Sequence, residues 1–206
     1  MVLDAGAVPC HHRPLFAHCT YKALDFAKFT GEGHTYGELD YICEISAILV
    51  PDASFDFMLY SEVFEHIPRT DEALREFARL VKPTGMVLII APFAAGIYMA
   101  PYRFCGGFSP YCSRYFQPLA GLEVLTITKN RGFFKLYEQE SRRFLTLLTP
   151  ARRIGRWLFL PVKALLAVWF RLVAPPLCQW LDRFDWTDAF TAGYFLLGKK
   201  SADACR

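Results

Sequence analysis

The chain has 206 residues, enough for one ordinary domain with an appendage and too few for two full domains. Because 53% of the residues are hydrophobic and only 21% are charged, the composition excludes an intrinsically disordered chain. No run of about 18 uncharged apolar residues occurs, so we expect no clear transmembrane span, and the first residues lack the pattern of a signal peptide. The cysteines are odd in number and form no Cys-x-x-Cys pair, which favours reduced thiols and a cytoplasmic protein.

The net charge of +3 is unevenly distributed along the chain. Residues 142–181 contain no Asp or Glu but seven basic side chains. These are Arg142, Arg143, Arg152, Arg153, Arg156, Lys163 and Arg171. The rest of the chain has 16 basic and 20 acidic residues. A mildly acidic body therefore carries one basic and very apolar segment.

The hydrophobic pattern predicts alternating strands and helices, which is typical of an α/β fold. The predicted strands are residues 2–3, 21–26, 39–43, 55–60, 86–91, 122–129 and 190–199. Between the fourth and fifth strands, apolar residues at helical spacing predict an amphipathic helix with Thr70 as its N-cap. Pro83 and Gly85 are predicted to end this helix and turn the chain. A strand, a helix and a strand in this order form a parallel crossover, so we expect one seven-stranded, doubly wound sheet.

Candidate ligand-binding residues follow the first three predicted strands, because ligands of open α/β sheets bind at the carboxyl ends of the strands. The first strand runs into Asp4-Ala5-Gly6, a turn of small residues that lets a ligand approach the backbone. Asp25 ends the second strand, where its carboxylate can accept hydrogen bonds from both hydroxyls of a ribose. Glu44 follows the third strand and can accept from an adenine amino group. An ordinary βα turn with a solvated Asp explains these residues equally well.

The middle of the chain carries the most specific pattern. Residues 54–56 read Ser-Phe-Asp at the start of a strand, and residues 62–67 read Glu-Val-Phe-Glu-His-Ile. Residues 73–85 read Ala-Leu-Arg-Glu-Phe-Ala-Arg-Leu-Val-Lys-Pro-Thr-Gly. The chain resembles class I S-adenosylmethionine-dependent methyltransferases of the small-molecule, quinone-biosynthesis-like branch (methyltransferase type 11 domain). The resemblance extends over residues 2–135 and 190–200.

This resemblance implies a Rossmann-like sheet with an antiparallel last strand, S-adenosylmethionine as the cofactor, and methyl transfer to a small or lipid-linked acceptor. The implied cofactor-binding residues are Asp4, Gly6, Ala7, Asp25, Glu44 and Ser61. A base is needed only if the acceptor is protonated at neutral pH. His66 is the implied catalytic base, with Glu62 and Glu65 near it in sequence. Alternatively, His66 fixes the turn after the fourth strand.

Two features depart from the family pattern. Gly6, Ala7 and Val8 stand where the family has a glycine triplet, so we expect Val8 to crowd the methionine end of the cofactor. The helix that precedes the first strand in the family is missing, which indicates a truncated chain or another element over the site. Two alternatives therefore stay open. One is a non-catalytic, membrane-associated relative; the other is a nicotinamide-dependent oxidoreductase, which leaves residues 54–66 unexplained.

Two further groups of residues each have two interpretations. The first group has the side-chain types of zinc ligands but not the paired spacing of zinc sites, so we predict no metal site. It comprises Cys10, His11, His12, His18 and Cys19. The second group is an aromatic series that suits either an acceptor pocket or the packing of a long loop. It comprises Tyr98, Tyr102, Phe104, Tyr111, Tyr115 and Phe116.

The basic apolar segment predicts a helical insertion over residues 145–186. A methyltransferase core at 1–144 precedes it, and the final strand at 187–200 and a tail at 201–206 follow. Pro161, Pro175 and Pro176 predict pieces too short to cross a bilayer. Basic residues beside exposed Trp and Phe suit an anionic membrane surface, which makes the protein peripheral on the inner face of the membrane. The alternative is a cap packed on the protein or on the second subunit of a homodimer. Polar side chains that read bases are lacking, so we expect no nucleic-acid partner.

Overall fold

The computed structural model describes residues 1–31, 35–148, 160–187 and 189–202. Seven strands form one sheet: β1 (Val2–Ala5), β2 (Tyr21–Asp25), β3 (Tyr41–Ile42), β4 (Phe55–Ser61), β5 (Val81–Pro92), β6 (Leu122–Lys129) and β7 (Gly193–Lys200). Their order is β3-β2-β1-β4-β5-β7-β6. The pairs from β3 to β5 are parallel, and β7 pairs antiparallel with β5. The predicted Rossmann-like sheet with an antiparallel last strand is confirmed.

Five α-helices lie in the part of the chain that the structure describes. They are α1 (Thr70–Leu80), α2 (Pro110–Leu119), α3 (Phe133–Leu147), α4 (Leu160–Val168) and α5 (Ala174–Leu181). Short 3-10 turns cover Arg13–Phe16, Phe64–His66 and Asp182–Phe184, and a π-helical turn covers Trp169–Val173. The predicted strand at 39–43 is shorter in the structure, and the last strand begins at Gly193 rather than at residue 190.

Helix α1 packs its apolar side on the sheet. Phe77 is fully buried, and its ring stacks on Tyr60 of β4 with 3.4 Å between the ring centroids. Arg69, not the predicted Thr70, is the N-cap residue, and no side chain caps the helix. The helix ends at Leu80, and Val81 is already extended and starts β5, so Pro83 and Gly85 lie inside the strand rather than in a separate turn. A residue before proline avoids the helical region, which explains why the helix ends ahead of Lys82.

The chain divides into two compact units. The first contains Met1–Thr128 and the chain from Gly193 onward, and it holds the sheet. The second is Lys129–Ala192, so it starts before the insertion boundary predicted at residue 145. In this second unit, two carboxylates cap the amino end of α3. Asp185 Oδ2 accepts a hydrogen bond from the backbone N–H of Phe133 at 2.7 Å. Asp182 Oδ1 accepts from the N–H of Lys135 at 3.2 Å.

The second unit also contains an unbroken helical run over Leu160–Phe184. The prediction that three prolines divide this segment into short pieces was wrong. Pro161 is the second residue of α4, and Pro175 and Pro176 lie in the first turn of α5, where the preceding π-helical turn Trp169–Val173 accommodates their missing N–H donors. By length and composition alone this run of 25 residues could cross a membrane, and only 11% of its most apolar stretch is buried. The predicted membrane residues Arg152, Arg153, Arg156, Trp157 and Phe159 lie outside the described residues.

Candidate active site

A cavity of about 550 Å³ opens at the carboxyl ends of β1, β2, β3 and β4. It therefore lies where parallel sheets of this kind place their ligands. Polar side chains line it together with the turn after β1: Gly6, Val8, Asp25, Lys28, Glu44, Ser46, Ser61, Glu62, His66, Arg69 and Glu72. Its apolar lining is Phe26, Ile45, Val63, Ile67, Pro68, Met99, Tyr102 and Phe104, with Tyr98 at the same wall.

The turn after β1 requires glycine at position 6. Gly6 has a φ of 80°, in the left-handed region, and a Cβ built on it would lie 2.0 Å from Cγ2 of Val63. The backbone N–H groups of Gly6 and Ala7 both donate to the carbonyl of Leu24, at 2.7 and 3.1 Å. This turn therefore presents bare backbone at the cavity. Val8 also lines the cavity, which is where its side chain was expected to crowd a cofactor.

Two of the predicted cofactor residues do not line the cavity. Asp4 lies inside β1, is 1% exposed, and accepts a hydrogen bond from the hydroxyl of Tyr21 at 2.5 Å. Burial raises the pKa of Asp4, although the Tyr21 hydrogen bond and nearby His12 oppose the change. Ala7 is also buried. The strand β1 extends to Ala5, two residues beyond the strand predicted at residues 2–3, so Asp4 lies inside the strand rather than in the turn.

Four other predicted cofactor residues, Gly6, Asp25, Glu44 and Ser61, meet at the cavity. Asp25 ends β2, and its Oδ1 accepts from the N–H of Ala27 at 2.8 Å, which orients the carboxylate. Glu44 forms an ion pair with Lys28, with 2.5 Å between Oε1 and Nζ. Sequence reasoning missed Lys28, because the pair joins two loops that are adjacent only in the folded chain.

The predicted base His66 belongs to a buried hydrogen-bond network. Its Nδ1 lies 2.5 Å from the carbonyl oxygen of Tyr102; because a carbonyl only accepts, Nδ1 carries a proton. Its Nε2 is buried, has no hydrogen-bond partner among the described residues, and faces Glu65 at 3.8 Å. Neither ring nitrogen therefore points into the cavity. This geometry favours the alternative, in which His66 fixes the turn after β4. The hydrogen bond to Tyr102 also attaches the opposite wall of the cavity to this turn.

Glu65 is the centre of this network. Its side chain is completely buried, and its Oε1 accepts from the hydroxyl of Tyr98 and lies 3.5 Å from the guanidinium of Arg103. The Arg103 guanidinium covers the Tyr98 ring at 4.4 Å from the centroid. The backbone carbonyl of Glu65 accepts from the N–H groups of Phe104 and Cys105. These bonds hold residues 98–105 as a wall of the cavity.

The sequence indicated Glu62 only as a neighbour of His66, but the structure places it at the cavity. It follows β4 directly, lines the cavity and has a φ of 55°, an uncommon value for a residue with a side chain. Its side chain is accessible from the cavity, yet the surrounding protein removes much of its hydration. That desolvation, followed by the negative charge of Glu65, raises the pKa of Glu62 to about 7, against a smaller opposite effect of Arg103. A carboxylate with this pKa is suited to accept a proton near neutral pH.

Half of the aromatic series lies at the cavity, and the other half fits neither interpretation given to it. Tyr98, Tyr102 and Phe104 line the cavity, as expected for an acceptor pocket. Tyr111, Tyr115 and Phe116 lie on α2, where they are exposed. Ser109 separates the two halves of the series; its side chain accepts a hydrogen bond from the N–H of Cys112 and caps α2.

Among the residues that the structure describes, no group of three or more His, Cys, Asp or Glu side chains is placed to hold a metal ion. Cys10 instead donates to the backbone carbonyl of Ala7 at 3.1 Å, within the turn after β1. The six cysteines in the described ranges are free thiols.

Comparison with known proteins agrees with this geometry. Residues 16–89 match the family model of a methyltransferase domain. No curated protein matches the chain. A proposed sarcosine dimethylglycine methyltransferase from Galdieria sulphuraria is a similar solved structure, with a TM-score of 0.59, 16% identity, and coverage of 97% of this chain and 77% of that one.

Two further solved structures are similar. A SAM-dependent methyltransferase from Archaeoglobus fulgidus has a TM-score of 0.57 at 15% identity, over 97% of this chain and 85% of that one. The 1,6-didemethyltoxoflavin-N1-methyltransferase of Burkholderia thailandensis, with S-adenosylhomocysteine bound, has a TM-score of 0.53 at 14% identity, over 97% and 70%. These identities show the fold. The sequence match identifies a methyltransferase domain in residues 16–89, and the similar structures are S-adenosylmethionine-dependent methyltransferases of the same fold.

Proposed function

We propose that the protein transfers the methyl group of S-adenosylmethionine to a small or lipid-linked acceptor that loses a proton as it reacts, with Glu62 as the base. The observation that supports this is the position of Glu62. Its carboxyl group, with a pKa of about 7, lines the same cavity as Gly6, Asp25 and Glu44.

The residues at the ends of the first three strands fit the cofactor. The left-handed backbone at Gly6 leaves room that any side chain would fill. The carboxylate of Asp25 is oriented by Ala27 and would accept from the ribose hydroxyls. Glu44 and Lys28 would border the adenine side, and Ser61 would border the cofactor at the end of β4. When bound, S-adenosylmethionine supplies a methyl group already activated by a sulfonium.

The opposite wall of the cavity fits an acceptor with an apolar part. Ile67, Met99, Tyr102 and Phe104 give this wall apolar and aromatic surface. The Glu65 network holds the wall in place, so the pocket is preorganised rather than formed by the ligand. Exclusion of water by these side chains favours attack by a poorly solvated nucleophile.

Glu62 then removes the proton of the acceptor. The bound cofactor would supply the methyl group: the acceptor oxygen, nitrogen or carbon would form a bond to the methyl carbon as the carbon–sulfur bond breaks, with that bond's electrons left on sulfur. The proton that leaves the acceptor passes to the Glu62 carboxylate. Since the pKa of Glu62 is about 7 rather than its ordinary value near 4.5, the carboxylate forms as the pH rises through neutrality. Activity is therefore expected to increase over that range.

The test is a Glu62→Gln variant, assayed by transfer of labelled methyl from S-adenosylmethionine into a lipid extract and into a water-soluble metabolite extract. The wild type should label one extract with a rate that rises through pH 7. The variant should be roughly 10²–10⁴-fold slower and lose this rise. The matched control is Glu72→Gln, which makes the same change in the same cavity. An unchanged pH profile in Glu62→Gln contradicts the role of Glu62, and no labelling by a protein that binds the cofactor contradicts methyl transfer to these acceptor classes.

A further inference from the structure

We propose that the helical run Leu160–Phe184 lies flat in the interface of a membrane that contains anionic lipids. The proposal concerns the second unit alone and does not depend on which acceptor the cavity takes. It rests on an exposed apolar stripe, on the partner that already covers another face of the run, and on the charges around it.

The exposed stripe follows helical spacing. Its members, which we call the lipid stripe, are Leu165, Trp169, Leu172, Trp180 and Phe184. Successive members are three, four or eight residues apart, so they share one side of a helix. Leu165 is 71% exposed and Leu172 is 69% exposed. Large apolar side chains in a continuous exposed row mark an interaction surface.

A different face of the run already has a partner in the same unit. Ala174 and Cys178 are one helical turn apart, and both are buried. The ring of Phe170 meets the ring of Phe144 on α3 edge to face, with 6.1 Å between the centroids. The run is therefore held by α3 on one side while the lipid stripe stays exposed, as a helix lying at a surface requires.

The charges distinguish a flat helix from a spanning one. At about 1.5 Å per residue the run is long enough to cross the hydrocarbon core. However, α3 packs beside it and carries ion pairs, Glu138 with Arg142 at 2.8 Å and Glu140 with Arg143 at 3.1 Å. A spanning run would draw these charges, and its own Lys163 and Arg171, into the hydrocarbon. In the interface they lie at the level of the head groups.

The positive charge of the segment around the run indicates which lipids it would bind. The acidic residue of the run, Asp182, accepts a hydrogen bond from the backbone of Lys135. Residues 142–181 contain seven basic residues and no acidic one, and five remain when Arg142 and Arg143 are set aside as partners of Glu138 and Glu140. Such a segment is attracted to the negative surface potential of anionic lipids, and the attraction is screened by salt. A second copy of this chain would bring the same positive charge against itself, which disfavours a homodimer through this face.

The experiment is flotation of the full chain with vesicles of phosphatidylcholine alone or with phosphatidylserine added. We expect binding that needs phosphatidylserine and weakens as salt rises. The double variant Leu165→Glu/Leu172→Glu should bind roughly tenfold or more weakly. The matched control is Leu49→Glu, at a leucine of the first unit that is 97% exposed, and it should bind like the wild type. Unchanged far-ultraviolet circular dichroism and thermal unfolding show that the variants are folded.

Several outcomes would overturn the proposal. The first is a wild-type protein that fails to float with either vesicle at low salt. The second is an equal loss for Leu49→Glu and the double variant. The third is a dimer in light scattering that the double variant dissociates while vesicle binding is absent, which assigns the stripe to a second copy. The fourth is bound protein that neither high salt nor alkaline carbonate releases, which indicates a spanning helix.

Discussion

The cavity and the lipid stripe are both rich in large apolar side chains, but they differ in the charged residues around them. At the cavity, Glu65 is completely buried and has Tyr98 and Arg103 as partners. Along the lipid stripe, large apolar side chains are exposed, and residues 142–181 around it contain no acidic residue. Desolvation of Glu62, followed by the nearby charge of Glu65, raises the pKa of Glu62 and suits it to the proposed proton transfer, whereas the exposed apolar stripe suits the proposed binding to lipid.

The largest effect should come from breaking the buried charge pair. Arg103→Met leaves Glu65 buried without its cationic partner, so we expect the free energy of unfolding to fall by about 3 kcal/mol. Urea denaturation measures this change. The double variant Glu65→Gln/Arg103→Met removes both charges and should recover part of the loss. If Arg103→Met is as stable as the wild type, the network does not hold this wall of the cavity.

The next largest effect is expected at the turn after β1. Gly6→Ala places a Cβ within 2.0 Å of Val63 Cγ2 on a backbone with a φ of 80°. We expect a loss of about 2 kcal/mol of stability and a clear loss of cofactor binding. Thermal unfolding and calorimetric titration measure the two effects. Gly106→Ala is the control, since a Cβ there meets nothing within 4 Å. Equal behaviour of the two variants would show that this turn is not tightly packed against Val63.

A smaller effect is expected from the carboxylate at the end of β2. Asp25→Asn keeps an oxygen that can accept from Ala27 but removes the charge and one acceptor, so cofactor affinity should fall by ~1–3 kcal/mol. Asp40→Asn is the matched control, because Asp40 accepts from the backbone of Ala23 in the same region without lining the cavity. An unchanged affinity in a folded Asp25→Asn protein would mean that Asp25 does not bind the ribose.

The smallest effect is expected at Val8. This side chain lines the cavity where the family has glycine, so Val8→Gly should leave cofactor affinity equal or somewhat higher. Calorimetric titration of the two proteins compares them. A clear loss of affinity would show that the Val8 side chain supports the cofactor rather than crowding it.

The sequence predicted the sheet and the meeting of Asp25, Glu44 and Ser61 at one cavity for a physical reason. Parallel strands bring their carboxyl ends to one edge, so Asp25, Glu44 and Ser61 had to lie close together once the strands were identified. The acceptor side could not be predicted in this way. Its wall depends on Glu65 meeting residues more than 30 positions later, and the pKa of Glu62 depends on the burial that results. Such contacts leave no periodic pattern in the sequence.

The helical run Leu160–Phe184 also shows which features could be predicted from the sequence and which could not. From local propensity we predicted helix breaks at Pro161, Pro175 and Pro176. This prediction was wrong, because the prolines lie in first turns or follow a π-helical turn, where the backbone N–H donor that proline lacks is not needed. The charge asymmetry of residues 142–181, in contrast, is a property of composition and needed no structure. It identified the segment as unusual, and the structure then added the exposed stripe and the face packed on α3.

Titration calorimetry of the full chain with S-adenosylmethionine, and separately with NAD, tests the central claim that the cavity at the strand ends is the cofactor site. The wild type should bind S-adenosylmethionine and not NAD, and Gly6→Ala should lose this binding while Gly106→Ala retains it. Binding of NAD in place of S-adenosylmethionine, or no binding of either by a protein that is demonstrably folded, would contradict the account.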